Sequence, residues 1–301
     1  MTALNLQGTF IMRKTLFTFF FIFLFVAIHA QRFHIGVFGG LAAYNGDLTE
    51  QIFPKKVTNG SFGITGNYEI TDKIMFRGGF TYAIVGGADR FSDNAELIKR
   101  NLAFETKLYE FSAIGEYYIF SLDERKFSPY LFLGIAVYKY DPYAYHSVTH
   151  EKVYLQPLST EGQGLSGYPD KPYGLTQFAI PFGGGLKYAF SENFRVGIEL
   201  GMRKLFTDYF DDVSNNYADQ AELLAAKGQL AVDMAYRGDE VPSGNPAYPN
   251  KDAMRGSPDS KDYYYFSGLH LTYRLGNGGG SGYGGGKKNN KSKTGCPVNV
   301  Y

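Results

Sequence analysis

The chain has 301 residues, with 30 Lys and Arg against 29 Asp and Glu and a formal net charge of +1. That balance leaves no basic footprint for nucleic acid, and the single cysteine, Cys296, excludes an internal disulfide framework. Tyr and Phe number 25 and 26, Gly 37 and Trp none, yet mean hydropathy is slightly polar. Many aromatics without long apolar helices suit transmembrane strands, where only every second residue meets lipid.

At the start, Arg13 and Lys14 precede an apolar run over 16–28 broken only by Thr18. His29-Ala30 then meets Gln31 at a cleavage-like point, so 1–30 reads as an extension plus a secretory signal peptide, with Met12 as the natural start. The run is shorter than the roughly 20 apolar residues a spanning helix needs. No cysteine follows it to carry a lipid anchor. An exported chain with no further apolar helix enters a membrane as a closed barrel or not at all.

Residues 31–276 then alternate apolar and polar side chains in eight runs, which predicts an all-β fold: an eight-stranded antiparallel transmembrane β-barrel. The runs are 33–43, 61–70, 74–85, 104–120, 130–140, 177–190, 194–206 and 263–275. In the third, Ile74, Phe76, Phe80, Tyr82 and Ile84 oppose Arg77, Gly79 and Thr81. In the seventh, Phe194, Val196, Ile198, Leu200 and Met202 oppose Arg195, Glu199 and Arg203. Each run meets or exceeds the roughly 9–11 residues a tilted strand needs to cross a bilayer. Connections at 71–73, 121–128 and 191–193 are short, and those at 44–60, 86–103, 141–176 and 207–262 are long. Short turns on the periplasmic side and long outer loops are the outer-membrane arrangement. It places both termini in the periplasm and the chain in the outer membrane of a diderm bacterium. A soluble lipocalin-like barrel or a sandwich would turn its aromatics inward.

Parity sends Arg77, Glu110, Glu116, Lys187, Arg195, Glu199, Arg203, His270 and Arg274 inside. Eight strands leave an interior that side chains fill, so these charges should pair as a plug and not line a channel. In the longest loop, 218–236 should form one helix or two broken at Gly228, capping the mouth, and 237–258 should be irregular. The Tyr-, Pro- and Gly-rich loop 141–176 is either a packed lid or a surface for sugar or protein.

After the last strand, 277–301 forms a separate tail. It has a Gly-rich flexible stretch, then Lys287, Lys288, Lys291 and Lys293, then Cys296-Pro297. The Gly pairs in or beside strands lack the following helix of a phosphate loop and should relieve crowding. Asp208, Asp211 and Asp212 could hold calcium, but they lack EF-hand spacing and more readily pair with loop Arg and Lys. A lipid-modifying enzyme would need Ser, acid and His together. Ser112 and Glu116 on the fourth run and His270 on the eighth are the candidates, at unknown relative height. His34 opens the first run, and His146 and His150 lie in a loop. No catalytic, cofactor or metal residue is assigned, and no cofactor is expected.

Particular segments go beyond barrel patterning. They are Ala43-Tyr44-Asn45-Gly46-Asp47-Leu48; Arg203-Lys204-Leu205-Phe206-Thr207-Asp208-Tyr209-Phe210-Asp211-Asp212-Val213-Ser214 with Tyr217-Ala218-Asp219; Leu223-Leu224-Ala225-Ala226; and Arg255-Gly256-Ser257-Pro258 leading through Lys261-Asp262 to Tyr263-Tyr264. Through these and the Gly/Lys tail, the chain resembles the PorG-like outer-membrane barrels that accompany the type IX secretion system. The resemblance implies a non-enzymatic component that attaches periplasmic ring proteins or lipoproteins of a secretion and gliding apparatus to the outer membrane. It brings no catalytic or ligand residues. The alternative is a surface barrel whose loops bind a ligand or adhere.

Overall fold

A computed structural model describes residues 32–49, 57–258 and 261–276. The signal-like segment and the 277–301 tail with Cys296 lie outside the described residues.

Eight strands close on themselves. β1 (Phe33–Asn45), β2 (Asn59–Glu69), β3 (Ile74–Ala88), β4 (Ala103–Tyr118) and β5 (Phe127–Lys139) follow in order. After a loop hairpin of β6 (Tyr143–Tyr145) and β7 (Lys152–Tyr154) come β8 (Thr176–Ala189), β9 (Phe194–Leu205) and β10 (Tyr263–Arg274). Around the wall the order is β3, β2, β1, β10, β9, β8, β5, β4, and β4 pairs with β3 to close it. Every pairing is antiparallel, and β1 meets both β2 and β10. No edge of the main wall is left open, which a bilayer demands of strands.

The alternation decides the two faces. Ile35, Ile64, Phe111, Leu131, Leu133, Ile135, Phe178 and Ile198 are exposed on the outside, while Arg77, Glu110, Glu116, Lys187, Glu199 and His270 are buried inside. Apolar side chains point outward and charges inward, the reverse of a water-soluble barrel. No described helix is long and apolar enough to cross a membrane.

Rings fill the bore by lying over glycines on the neighbouring strands, Tyr130 beside its partner Gly185 and Phe132 across Gly183 toward Gly201. A Cβ at Gly185 would stand 2.8 Å from the Tyr130 ring, and one at Gly201 would stand 2.7 Å from Phe132. These glycines do relieve crowding, by leaving room for the rings of the adjoining strands.

The strand ends depart furthest from the sequence reading at the start of β5 and the end of β3. β5 begins at Phe127 and not at 130, because Pro129 still accepts the Ile119 N–H at 3.0 Å and Phe127 and Ser128 pair with Tyr188 and Lys187. A proline lacks a donor and reads as a break, yet its carbonyl keeps the ladder. The turn before it is therefore 119–126. β3 runs on to Ala88, with Gly86, Gly87 and Ala88 opposite Glu105, Phe104 and Ala103. The short and long connections alternate as the sequence indicates.

The long loops carry their own structure. α1 (Ala95–Arg100) is capped by the Asn94 side chain, which accepts the Glu96 N–H. α2 (Gln220–Lys227) is capped by Asp219, which accepts from Ala221 and Glu222. α3 (Gln229–Ala235) follows Gly228, whose φ of 84° disfavours a side chain and splits the helix pair.

Candidate functional site: a filled bore and a fastened cap

Inside the barrel, charges stack in three tiers. At the short-turn rim, Glu69 receives Arg195 at 2.6 Å, Arg274 at 2.9 Å and the Nε2 of His34 at 3.1 Å. Asp123 stands within 3.9 Å of Arg195 and 3.7 Å of Arg274. In the middle tier, Arg77 bonds Glu199 through two nitrogens at 2.6 and 3.0 Å and reaches Glu116 Oε1 at 3.1 Å. Lys187 donates to Glu116 at 3.0 Å and to the Tyr118 hydroxyl at 2.6 Å, and Tyr118 donates to Glu116. Tyr130 donates to Glu199 at 2.7 Å. In the upper tier, Arg203 reaches the two oxygens of Glu110 at 3.1 and 3.3 Å, and Tyr264 donates to Glu110 at 2.7 Å.

The middle tier contains the strongest candidate for chemistry. Glu116, Glu199 and His270 present ligand atoms within 4.8 Å of one another. Arg77 and Lys187 already neutralise both carboxylates, so a metal ion would have to displace two cations held in place. The ring nitrogens of His270 face Thr65 Oγ1 at 2.8 Å and Arg77 at 3.2 Å. The topology thus brings Glu116 and His270 together, but the ring is fully buried and engaged with Thr65 and Arg77, not Ser112. Voids of about 20 Å³ beside Arg77 and Ser112 and about 10 Å³ near Glu69 leave room for single waters.

Above the upper tier sits a stopper. Phe210, carried in by the loop after β9, is fully buried. Its ring packs 5.1 Å from Tyr140, 5.6 Å from Tyr264, 5.9 Å from Tyr44 and 6.0 Å from Tyr138. Such aromatic contacts contribute about 0.5–1.5 kcal/mol each beyond burial.

The carboxylates on either side of Phe210 fasten it. Asp208 accepts from the Ser214 hydroxyl at 2.8 Å. Asp211 accepts the Val213 N–H at 2.9 Å and lies against the Tyr44 hydroxyl. Asp212, at φ 69°, accepts from Thr160 at 2.6 Å and Tyr173 at 2.7 Å. Asp262 accepts the Phe210 N–H at 3.0 Å. The acidic run is therefore spread over separate partners and does not converge as a calcium cage would. Pairing with a loop arginine holds for Asp212, 3.7 Å from Arg255.

Arg255 is the hub that the sequence reading did not single out beyond its segment. It is 2% exposed, and it donates to Glu161 at 2.9 Å and to the Ala235 carbonyl at 3.2 Å. A lone arginine among Gly, Ser and Pro carries no periodic signal. Burial pushes the Asp212 carboxyl up to about 6 even though Arg255 opposes the shift. Replacing Arg255 by Ala leaves Glu161 and Asp212 buried without their cation, a loss of about 3–5 kcal/mol. Limited proteolysis should then cut the loop 206–262 at least 100-fold faster, while the barrel keeps its folded mobility on unheated gels.

The remaining histidines have structural surroundings. The His146 Nδ1 accepts the N–H groups of Val148 and Thr149 at 3.3 and 3.2 Å, and His150 sits at φ 57° in the same hairpin turn. The loop 140–175 packs as a lid, with Leu158, Leu165 and Tyr168 against the buried Ala218, Leu223 and Val232 of the helical cap.

Fold and interior together define a closed, filled, eight-stranded barrel with an apolar outer wall. Residues 13–160 match the model of a family described as a domain of unknown function, DUF6089. No curated protein matches the chain. Among solved structures, it is similar to Neisserial surface protein A at 10% identity, covering 80% of this chain and 96% of that one with a TM-score of 0.41. Ail, the attachment invasion locus protein of Yersinia pestis, solved with the heparin analogue sucrose octasulfate, is similar at 12% identity, 80% and 98% coverage and a TM-score of 0.37. OprG from Pseudomonas aeruginosa is similar at 12% identity, 81% and 97% coverage and a TM-score of 0.37.

Proposed function

We propose that this chain is an outer-membrane barrel that serves as a non-enzymatic anchor for a type IX protein secretion apparatus. The observation that carries the membrane reading is the reversal of faces: Ile35, Phe62, Phe111, Leu133, Ile135 and Phe178 point out, over a bore of paired charges. A wall of that kind is stable only against acyl chains. A solid interior argues for attachment over transport. Both described ends leave at the short-turn rim, where the Leu275 N–H donates to the Phe33 carbonyl at 3.0 Å. In the outer-membrane arrangement that rim faces the periplasm, so 277–301 starts where ring proteins or lipoproteins would bind. The secretion role itself rests on the resemblance of the 203–214 and 255–264 segments.

A pull-down of the tagged full chain from a detergent extract tests it. Large periplasmic ring subunits should be recovered, and removal of 277–301 should reduce them at least tenfold. Their absence from the intact chain would remove the anchor role while leaving the barrel.

One observation favours a second reading, a surface barrel that binds a ligand through its loops. A cleft of about 620 Å³ opens in the cap between Leu97, Tyr217, Tyr236 and Met254. Under that reading, trimming the cap abolishes surface binding and deleting the tail does not.

A further inference from the structure

We propose that Tyr44, Asp211 and Asp262 form a proton-dependent latch that holds the loop 206–262 over the barrel mouth, closed while one proton is shared between the two carboxyls and loosened when it leaves. The Tyr44 oxygen lies within hydrogen-bond reach of both Asp211 Oδ2 and Asp262 Oδ1, the latter at 3.0 Å. A hydroxyl has one proton and can donate to one of them only. If both carboxyls were ionised, the other contact would set a carboxylate against an oxygen lone pair. One of the two acids must therefore be the donor to Tyr44. The other oxygens are already engaged: Asp211 Oδ1 takes the Val213 N–H at 2.9 Å, and Asp262 Oδ2 takes the Phe210 N–H at 3.0 Å. The latch thus grips the backbone on both sides of the Phe210 stopper.

The surroundings supply no compensating cation among the described residues. From the turn after β1, Asp47 faces the pair, and from the loop after β9, Asp208 does. Tyr138 and Tyr140 at the end of β5, and Tyr173 from the loop before β8, add neutral hydroxyls. The nearest guanidiniums are spent elsewhere, Arg255 on Glu161 and Asp212 and Arg100 on Asp89. No three of these acids bring ligand atoms within 4.8 Å of one another, so the group is not a metal cage.

Burial first, and then each acid's negative neighbours, hold Asp211 and Asp262 well above the ordinary carboxyl range, and burial lifts Asp47 to about 6. A group whose folded pKa is raised stabilises the closed form at low pH and loses that contribution as pH climbs through the folded value. The latch therefore weakens from about pH 4 upward.

Amide hydrogen exchange on the full chain in lipid vesicles with EDTA tests this. Protection of the Phe210 and Val213 amides, corrected for the intrinsic rate, should fall by up to tenfold per pH unit above the ordinary Asp range. Amides in the β3–β4 ladder should not change. Asp262→Asn supplies a permanent donor and should flatten the slope, as should Asp211→Asn. Infrared difference spectra at neutral pH, wild type minus variant, provide a readout that does not depend on loop opening: a protonated carboxyl band should be present in wild type and should lose the intensity of one carboxyl in either variant. Wild-type protection that stays constant between acid and alkaline pH, or the absence of that band, would overturn the latch.

Discussion

Glu116→Gln should destabilise the barrel by about 3–5 kcal/mol, the loss expected when one partner of a buried ion pair is removed and the other remains. Glu116 is 1% exposed and serves two cations, Lys187 at 3.0 Å and Arg77 at 3.1 Å. Arg77 retains Glu199 through two bonds at 2.6 and 3.0 Å. Lys187 does not: its other near groups are the Tyr118 hydroxyl and the faces of the Tyr118 and Tyr130 rings at 5.2 and 4.9 Å. An ammonium whose paired carboxylate has become a neutral amide, with Glu199 acting only from beyond pairing distance, is the dominant loss in a sealed bore. The double variant Glu116→Gln with Lys187→Met removes both charges and should recover at least half of the stability, and with Lys187→Met alone closing the cycle the coupling energy should be about 2 kcal/mol or more. Urea titration in vesicles, read by the mobility of the folded species on unheated gels, measures all three. A single variant whose midpoint equals wild type would mean that the middle tier does not hold the bore.

That tier shows where sequence reasoning stops. Alternation with a period of two is local, so the inward set from Arg77 to Arg274 is legible residue by residue. Chain order then says which strands are neighbours. What alternation does not give is height along the axis. Glu110, Arg203 and Tyr264 come from β4, β9 and β10, and they meet only because register sets Arg203 opposite Tyr264 and stagger around the wall raises Glu110 to the same level. Glu116 and His270 are brought together the same way, with the His270 ring bonded to Thr65 and Arg77 and not to Ser112. In the loops, Gly228 marks the helix break because its conformation is intrinsic to the residue. The β6–β7 hairpin has three-residue strands, too short for any periodic signal. The acidic run 208–212 suggests a cation from sequence spacing alone. Its carboxylates diverge in space because Phe210 between them is driven into the aromatic mouth.

Leu133→Arg should lower the stability of the lipid-embedded barrel by about 2–4 kcal/mol, the loss for an arginine facing lipid at the midplane. Leu133 lies at the centre of β5, between Gly115 of β4 and Phe182 of β8, and is 63% exposed. Its side chain touches little protein, so packing predicts almost no loss. Val148 is the control: it is 80% exposed in the β6–β7 turn, above the wall. Val148→Arg should stay within about 0.5 kcal/mol of wild type, as surface substitutions away from structural features do. In water both positions would tolerate arginine equally, since each is an exposed apolar side chain with few neighbours. A separation between the two variants in vesicles, with Leu133→Arg unfolding at lower urea, therefore measures the solvent on the outer face. Equal midpoints would remove the bilayer from the account of this wall. The size of the separation also reports depth, because the penalty for arginine falls to about 0–1 kcal/mol near the interfaces. Ile135→Arg, two residues nearer the long-loop rim, should then lie between the two.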